Sequence, residues 1–374
     1  MTIAAEETSE IKRLRDEIRR GTRVISLGGL TSIASKAFVL SNLQAYFAKT
    51  FVVVADSNKD LENWDCDLEF FQSKIRNQKS KIETLPSFET DVYSGVSPHA
   101  ETLERRALSL WNLTHEQPEF LVVSAKSLAT KTVSPKEMLA LGAVLRRDAD
   151  FPPEDLIEKL VACGYVREEP IKNIGEFSVR GGILDVWSPT APMPVRIEFF
   201  GDTVDSIRQF DAETQLSIGQ LKEIDIAPMR EFAAVSSDFN DWAFFARERF
   251  TDEKQARAVR DRTDFAAEGE SFSGWEFLLP LVKPRASNVF EYLKDCVLIV
   301  DEPSQIEQTL GIYYETLDKR YAEIINAGEI GLAPEDLFLP VAELREKLAA
   351  NQRVELRALG RTAAETDEQF QFQD

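Results

Sequence analysis

The stretch GEFSVRGGILDVWSPTAPMPVRIEFFGDTVDSIRQFD, residues 175–211, alternates apolar and polar side chains twice over. Phe177, Val179, Ile183, Leu184 and Val186 carry the first pattern, and Val195, Ile197, Phe199, Val204 and Ile207 the second. A period of two belongs to strands with one buried face, so the spacing predicts two β-hairpins. Gly181-Gly182 and Gly201-Asp202 stand where tight turns need positive φ. Arg180 and Arg196 lie beside these turns. Arg196 and Phe200 are four residues apart, which puts both on one face of a strand with Glu198 between them. The same alternation sends Phe199 inward and Phe200 outward. The plainer alternative makes Phe200 core and lets the arginines balance Glu198, Asp185 and Asp202.

Around this stretch the chain has an ordinary composition: 374 residues, 43% hydrophobic, 29% charged. That is enough for two or three domains. No apolar run approaches the roughly 20 residues of a membrane-spanning helix, and no signal-like segment opens the chain, so a cytoplasmic location and no membrane partner are expected. A net charge of −20 opposes tracking along nucleic acid, which needs clustered Lys and Arg, and favours a protein partner. The pairs Arg19-Arg20, Arg105-Arg106 and Arg146-Arg147 read as solvated faces of helices. Cys66, Cys163 and Cys296 are widely spaced in apolar contexts and read as buried thiols. His99 and His115 have no nearby nucleophile, so no catalytic residue and no metal site is expected.

The first third has a βαβ rhythm. Strands at 23–27, 51–55, 82–85 and 120–124 alternate with helices at 32–48, 61–71 and 101–113. The wholly apolar Phe51 to Ala55 has the look of a buried parallel strand. The turn GLTSIASK, residues 29–36, occupies the place of a phosphate-binding loop. Such a loop needs a second Gly, then Lys, then a hydroxyl. Gly29 is present, but those three positions hold Ala34, Ser35 and Lys36, so the lysine comes one residue late, about 100° round the helix. Asp301 and Glu302 end a second apolar strand, at 297–300, where a Walker B pair would hold Mg²⁺. With the loop degenerate they read as a relic, and Lys36→Ala is expected to leave the fold unchanged.

From 134 to about 155 the chain reads as helical and charged, with Ser134-Pro135 as a helix start, followed by a helix at 154–163, the two hairpins and one last strand at 221–226. After Pro228 the pattern reads as α/β again, with a helix at 341–350, a strand at 354–359 and a polar tail from 362.

The order RGG (180–182), R-x-E-F-F-G-D (196–202) and S-I-R-x-F-D (206–211) closely resembles the second domain of the family of UvrB and the bacterial transcription-repair coupling factor. Residues 85–113 and 273–303 are similar to the coupling-factor branch, and the run from Glu89 to Arg105 is too short for UvrB's DNA-clamping hairpin. The resemblance implies an α/β fold: a UvrB-like, RecA-like body with a degenerate phosphate loop and a smaller inserted α+β domain. It divides the chain into 1–133 and 227–374, two parts of the body, and 134–226, the insertion. By the family's motif, Arg180, Arg196 and Phe200 form a contact with UvrA. The family's ATP and Mg²⁺ belong to a translocase motor, and its contacts with RNA polymerase and DNA to further domains. Neither is present here, so the chain is expected to be an N-terminal, non-catalytic fragment with no cofactor of its own. The alternative is a UvrB-type ATP-dependent DNA-damage-binding enzyme.

Overall fold

The computed structural model describes residues 9–76, 81–358 and 368–371. The first part runs α1 (Ser9–Arg20), β1 (Val24–Gly28), α2 (Ile33–Gln44), β2 (Thr50–Ala55), α3 (Asn58–Arg76), β3 (Ile82–Leu85), α4 (Ala100–His115), β4 (Phe120–Ser124) and α5 (Ala125–Ala129). Every residue of β1, β2 and β4 is buried, as parallel strands covered on both faces must be.

The second part opens with α6 (Pro135–Leu141), whose Ser134 Oγ accepts from the Glu137 amide while the Glu137 carboxylate accepts from the Ser134 amide. This reciprocal cap is what the Ser134-Pro135 start required. Then come β5 (Ala143–Arg146), α7 (Pro153–Ala162), β6 (Val166–Arg167), β7 (Glu176–Arg180), β8 (Ile183–Val186), β9 (Val195–Phe200), β10 (Thr203–Phe210), β11 (Ser217–Leu221) and β12 (Glu223–Ile226). Six of these strands form a sheet in the order β11-β10-β9-β8-β7-β6, and β5 pairs with β12. The turns β7–β8 and β9–β10 hold Gly181 and Gly201 at φ 60°, a conformation costly for any residue with a Cβ.

The last part has α8 (Ser236–Arg249), α9 (Ala256–Ala266), short 3₁₀ turns, β13 (Cys296–Asp301), α10 (Pro303–Asn326), α11 (Pro334–Leu337), α12 (Val341–Ala350), β14 (Arg353–Arg357) and β15 (Glu368–Gln371). The seven-stranded sheet runs β15-β1-β14-β13-β2-β4-β3, and every pairing in it is parallel. Strands from the two ends of the chain therefore share one sheet, and the six-stranded sheet is built from chain between β4 and β13. On one face of the large sheet, Ile25, Leu27, Val53 and Ile299 pack with Leu14 and Ile18 of α1, Leu40 of α2 and Trp64 of α3. On the other, Val52, Val54, Leu121 and Leu298 pack with Leu110 of α4, Leu128 of α5 and Leu344 of α12. The inserted sheet has its own core of Leu156, Leu160, Phe177, Leu184, Val195, Ile197 and Ile207. The α/β reading with an inserted α+β unit holds.

Several local expectations are corrected. Residues 134–155 are not continuously helical: β5 lies among them, and Arg146 sits on it opposite Glu223. The single strand expected at 221–226 is two, because the chain leaves the large inserted sheet at Leu221 and joins β5 from Glu223. Residues 229–295 hold helices and 3₁₀ turns rather than α/β alternation. Arg106 does not face solvent. It is fully buried against Glu231, which is itself fully buried, and donates to Pro86 O and Ser127 Oγ, each at 2.6 Å, with the Phe88 ring 4.3 Å away. Cys66 is exposed and Cys296 half-buried, so only Cys163 is a buried thiol. Of the polar tail, Glu368–Gln371 forms β15 alongside β1. Residues 359–367 and 372–374, including the expected strand end Leu359, lie outside the described residues.

Candidate functional site

The outer face of the six-stranded sheet is set by register. Asp185 on β8 lies opposite Ser178 on β7 and Arg196 on β9, and Arg196 lies opposite Arg208 on β10. The neighbouring row holds Arg180, Ile183, Glu198 and Ser206. Alternation keeps Phe199 packed against the core and turns Phe200 out, with 84% of its surface exposed. An isolated aromatic that open is a large unburied apolar surface beside charged groups, the composition of an interface anchor.

The two arginines differ in how free they are. Arg196 meets Asp185 with two parallel hydrogen bonds, Nε to Oδ1 at 2.7 Å and Nη2 to Oδ2 at 2.8 Å, and lies 4.8 Å from the Phe210 ring centroid. Its side chain is 20% exposed. Arg180 reaches Asp185 Oδ2 at 3.3 Å and Glu169 at 3.5 Å, and is 49% exposed. Glu198 accepts from Ser206 Oγ at 2.6 Å and Arg208 Nη2 at 2.9 Å. The structure thus brings Arg180 and Arg196 together and places Phe200 on the same strand as Arg196. In the sequence Asp185 counted only as a charge-balancing residue. Its place on the same face, five residues after Arg180, was the available signal for its double role.

At the carboxyl end of the body sheet, Ser32 caps α2 by accepting from the Ser35 amide at 3.1 Å. Lys36 turns under the loop, where Nζ donates to Asp301 Oδ1 at 2.6 Å and Glu302 Oε1 at 3.0 Å. Asp301 also accepts from Trp64 Nε1 at 3.1 Å, and Glu302 from the Ala358 amide at 2.8 Å. Burial pulls the Lys36 pKa down, but Asp301 and Glu302 outweigh it and hold the ammonium above its usual value. The lysine and the carboxylates that a nucleotide site would direct at phosphate and Mg²⁺ are bonded to each other. A phosphate would have to break this ion pair to gain the lysine. The expectation that Lys36 could be removed without effect on the fold took no account of this pair, whose loss is expected to cost stability. Among the described residues no group of three or more His, Cys, Asp or Glu is placed to hold a metal, and no helix is long and apolar enough to cross a membrane.

Residues 144–232 match the family model of the UvrB interaction domain. The match covers the inserted sheet and its outer face, and with the parallel body sheet it fits a UvrB-like α/β protein carrying that interaction domain. The chain is 31% identical over 355 residues to the transcription-repair-coupling factor of Myxococcus xanthus, covering 89% of this chain and 28% of the relative. It is 27% identical over 276 residues to the factor of Haemophilus influenzae (73% and 24%), and 29% identical over 309 residues to that of Staphylococcus aureus strain USA300 (79% and 26%). These matches support the UvrB-like N-terminal module of a transcription-repair coupling factor. The chain spans about a quarter of the length of these curated relatives.

Proposed function

We propose that this chain is a protein-binding module, without catalysis of its own, that recruits UvrA in transcription-coupled nucleotide excision repair in the bacterial cytoplasm. The contact is the outer face of the inserted sheet, with Arg180, Arg196 and Phe200 as its anchors. RNA polymerase, DNA and ATP are handled by other parts of such a factor. The observation that carries the reading is Phe200, a ring 84% exposed on a strand whose neighbouring side chains are arginine–carboxylate pairs. Burying such a ring is worth about 1.5–3 kcal/mol, and a planar guanidinium with free N–H groups suits a partner carboxylate. The Lys36 ion pair supports the non-catalytic half of the reading.

Isothermal titration against UvrA tests it. Arg180→Ala and Phe200→Ala are each expected to weaken binding by about 1–3 kcal/mol, the range for truncating an interface anchor, and ATP-Mg²⁺ is expected to give no heat at micromolar concentration. Wild-type affinity in the Arg180→Ala/Phe200→Ala double variant would refute the contact. Micromolar ATP binding would refute the non-catalytic reading.

A further inference from the structure

We infer that Asp185 is a positioning residue of this face, which brings the two arginines to one spot and fixes the direction of their unused N–H groups. The inference rests on the reading of the face as the UvrA contact. Two guanidiniums repel, and each long side chain samples many rotamers in water. Asp185 resolves both problems with one carboxylate. Oδ1 takes Arg196 Nε, and Oδ2 takes Nη2 of both Arg196 and Arg180. A guanidinium has five N–H groups, and Arg196 spends two on Asp185, which leaves three in a fixed plane. The Phe210 ring at 4.8 Å from its centre holds that plane from another side.

Asp185 has 2% of its side chain exposed, so it cannot itself meet a partner. Its influence runs through the arginines. Binding normally costs the freedom of each side chain that is immobilised, and that cost is already met here in the unbound protein.

The test combines UvrA titrations of wild type, Asp185→Asn, Arg196→Ala and their double variant with the exchange of the Arg196 Nε proton, read by ¹⁵N NMR in the free protein. Asp185→Asn keeps the shape and removes the charge. It is expected to weaken UvrA binding about tenfold, the equivalent of freeing one or two long side chains. In the Arg196→Ala background the same change is expected to cost about twofold, because one of the two groups it holds has gone. The Nε proton is expected to exchange slowly in wild type and fast in Asp185→Asn. An equal loss in both backgrounds would mean that Asp185 merely supports the sheet. Undiminished or tighter binding by Asp185→Asn would equally overturn the inference, as would fast Nε exchange in wild type. If wild type itself fails to bind UvrA, the proposed function falls, while the Nε exchange still decides whether the arginine is held.

Discussion

Replacing Lys36 by alanine removes the centre of the ion pair with Asp301 and Glu302. Asp301 would keep only the Trp64 indole N–H and Glu302 only the Ala358 amide among the bonds described. The lysine side chain is 4% exposed, so its partners cannot exchange it for bulk water without rearrangement. Removing one member of a buried pair costs about 3–5 kcal/mol. Glu302 is 33% exposed and recovers part of this through solvent, which brings the expectation to about 2–4 kcal/mol. Urea unfolding at pH 7, with the slope compared between variants, measures it. The pH dependence follows from the direction of the lysine shift. A lysine held above its ordinary 10.5 contributes its full stabilisation below that pH and loses it only as pH rises through the higher folded value. Burial raises the Asp301 carboxyl above its usual range although Lys36 pulls it down, so on the alkaline side the wild-type pair changes only through the lysine and on the acid side through Asp301. In Lys36→Ala the Asp301 carboxyl, already raised by burial, loses its counter-ion and moves further up, so the deficit is largest near pH 8 and narrows as pH falls. A deficit below 1 kcal/mol at pH 7, or one that grows in acid, would refute the view of this site as a structural ion pair.

Arg196→Ala leaves the Asp185 carboxylate buried with Arg180 alone, so it is expected to lower stability by about 1–3 kcal/mol, whereas Arg180→Ala and Phe200→Ala stay within about 0.5 kcal/mol; thermal unfolding separates them. Truncating Arg106 strands the fully buried Glu231 and is expected to cost about 3–5 kcal/mol in urea unfolding, with an unchanged midpoint counting against it. Burial raises the Glu83 carboxyl to about 7 although Asn112 donates to it. Its contribution is thus present below 4.5 and lost as pH rises to about 7, so Glu83→Gln should gain about 3 kcal/mol over wild type at pH 8 and little at pH 4.5. Equal gains at both pH values would contradict the shift.

What could be read in the chain were the features whose causes are local. Phe51 to Ala55 declares a doubly covered strand by being apolar throughout. The hairpins declare themselves by alternation and by glycines where φ must be positive. What escaped depends on partners far away in sequence. Ala143–Arg146 looks helical beside its neighbours and becomes a strand only because Glu223–Ile226 pairs with it. Arg106 looks like a surface residue until Glu231 meets it, and Lys36 looks idle until β13 brings Asp301 alongside. At the candidate site the outward ring and the two arginines were legible from periodicity and motif. The unequal freedom of the arginines was not, since it follows from one carboxylate on the adjacent strand.

The place of β14 in the large sheet sets an order of events during synthesis. It lies between β1 and β13 and bonds to both, Val354 opposite Ile25 on one side and Ile299 on the other. Strand β1 leaves the ribosome more than 300 residues before the neighbour that joins it to the rest of the sheet, so the core that β1 shares with β14 stays open until residue 357 has emerged. The inserted sheet is made almost wholly of adjacent strands and needs no such wait, because near neighbours close at little entropic cost. On a translating ribosome the candidate partner face would thus be folded before the body that carries it. A chain cut short before β14 would leave β1 and β13 with bare hydrogen-bonding edges, which are templates for aggregation.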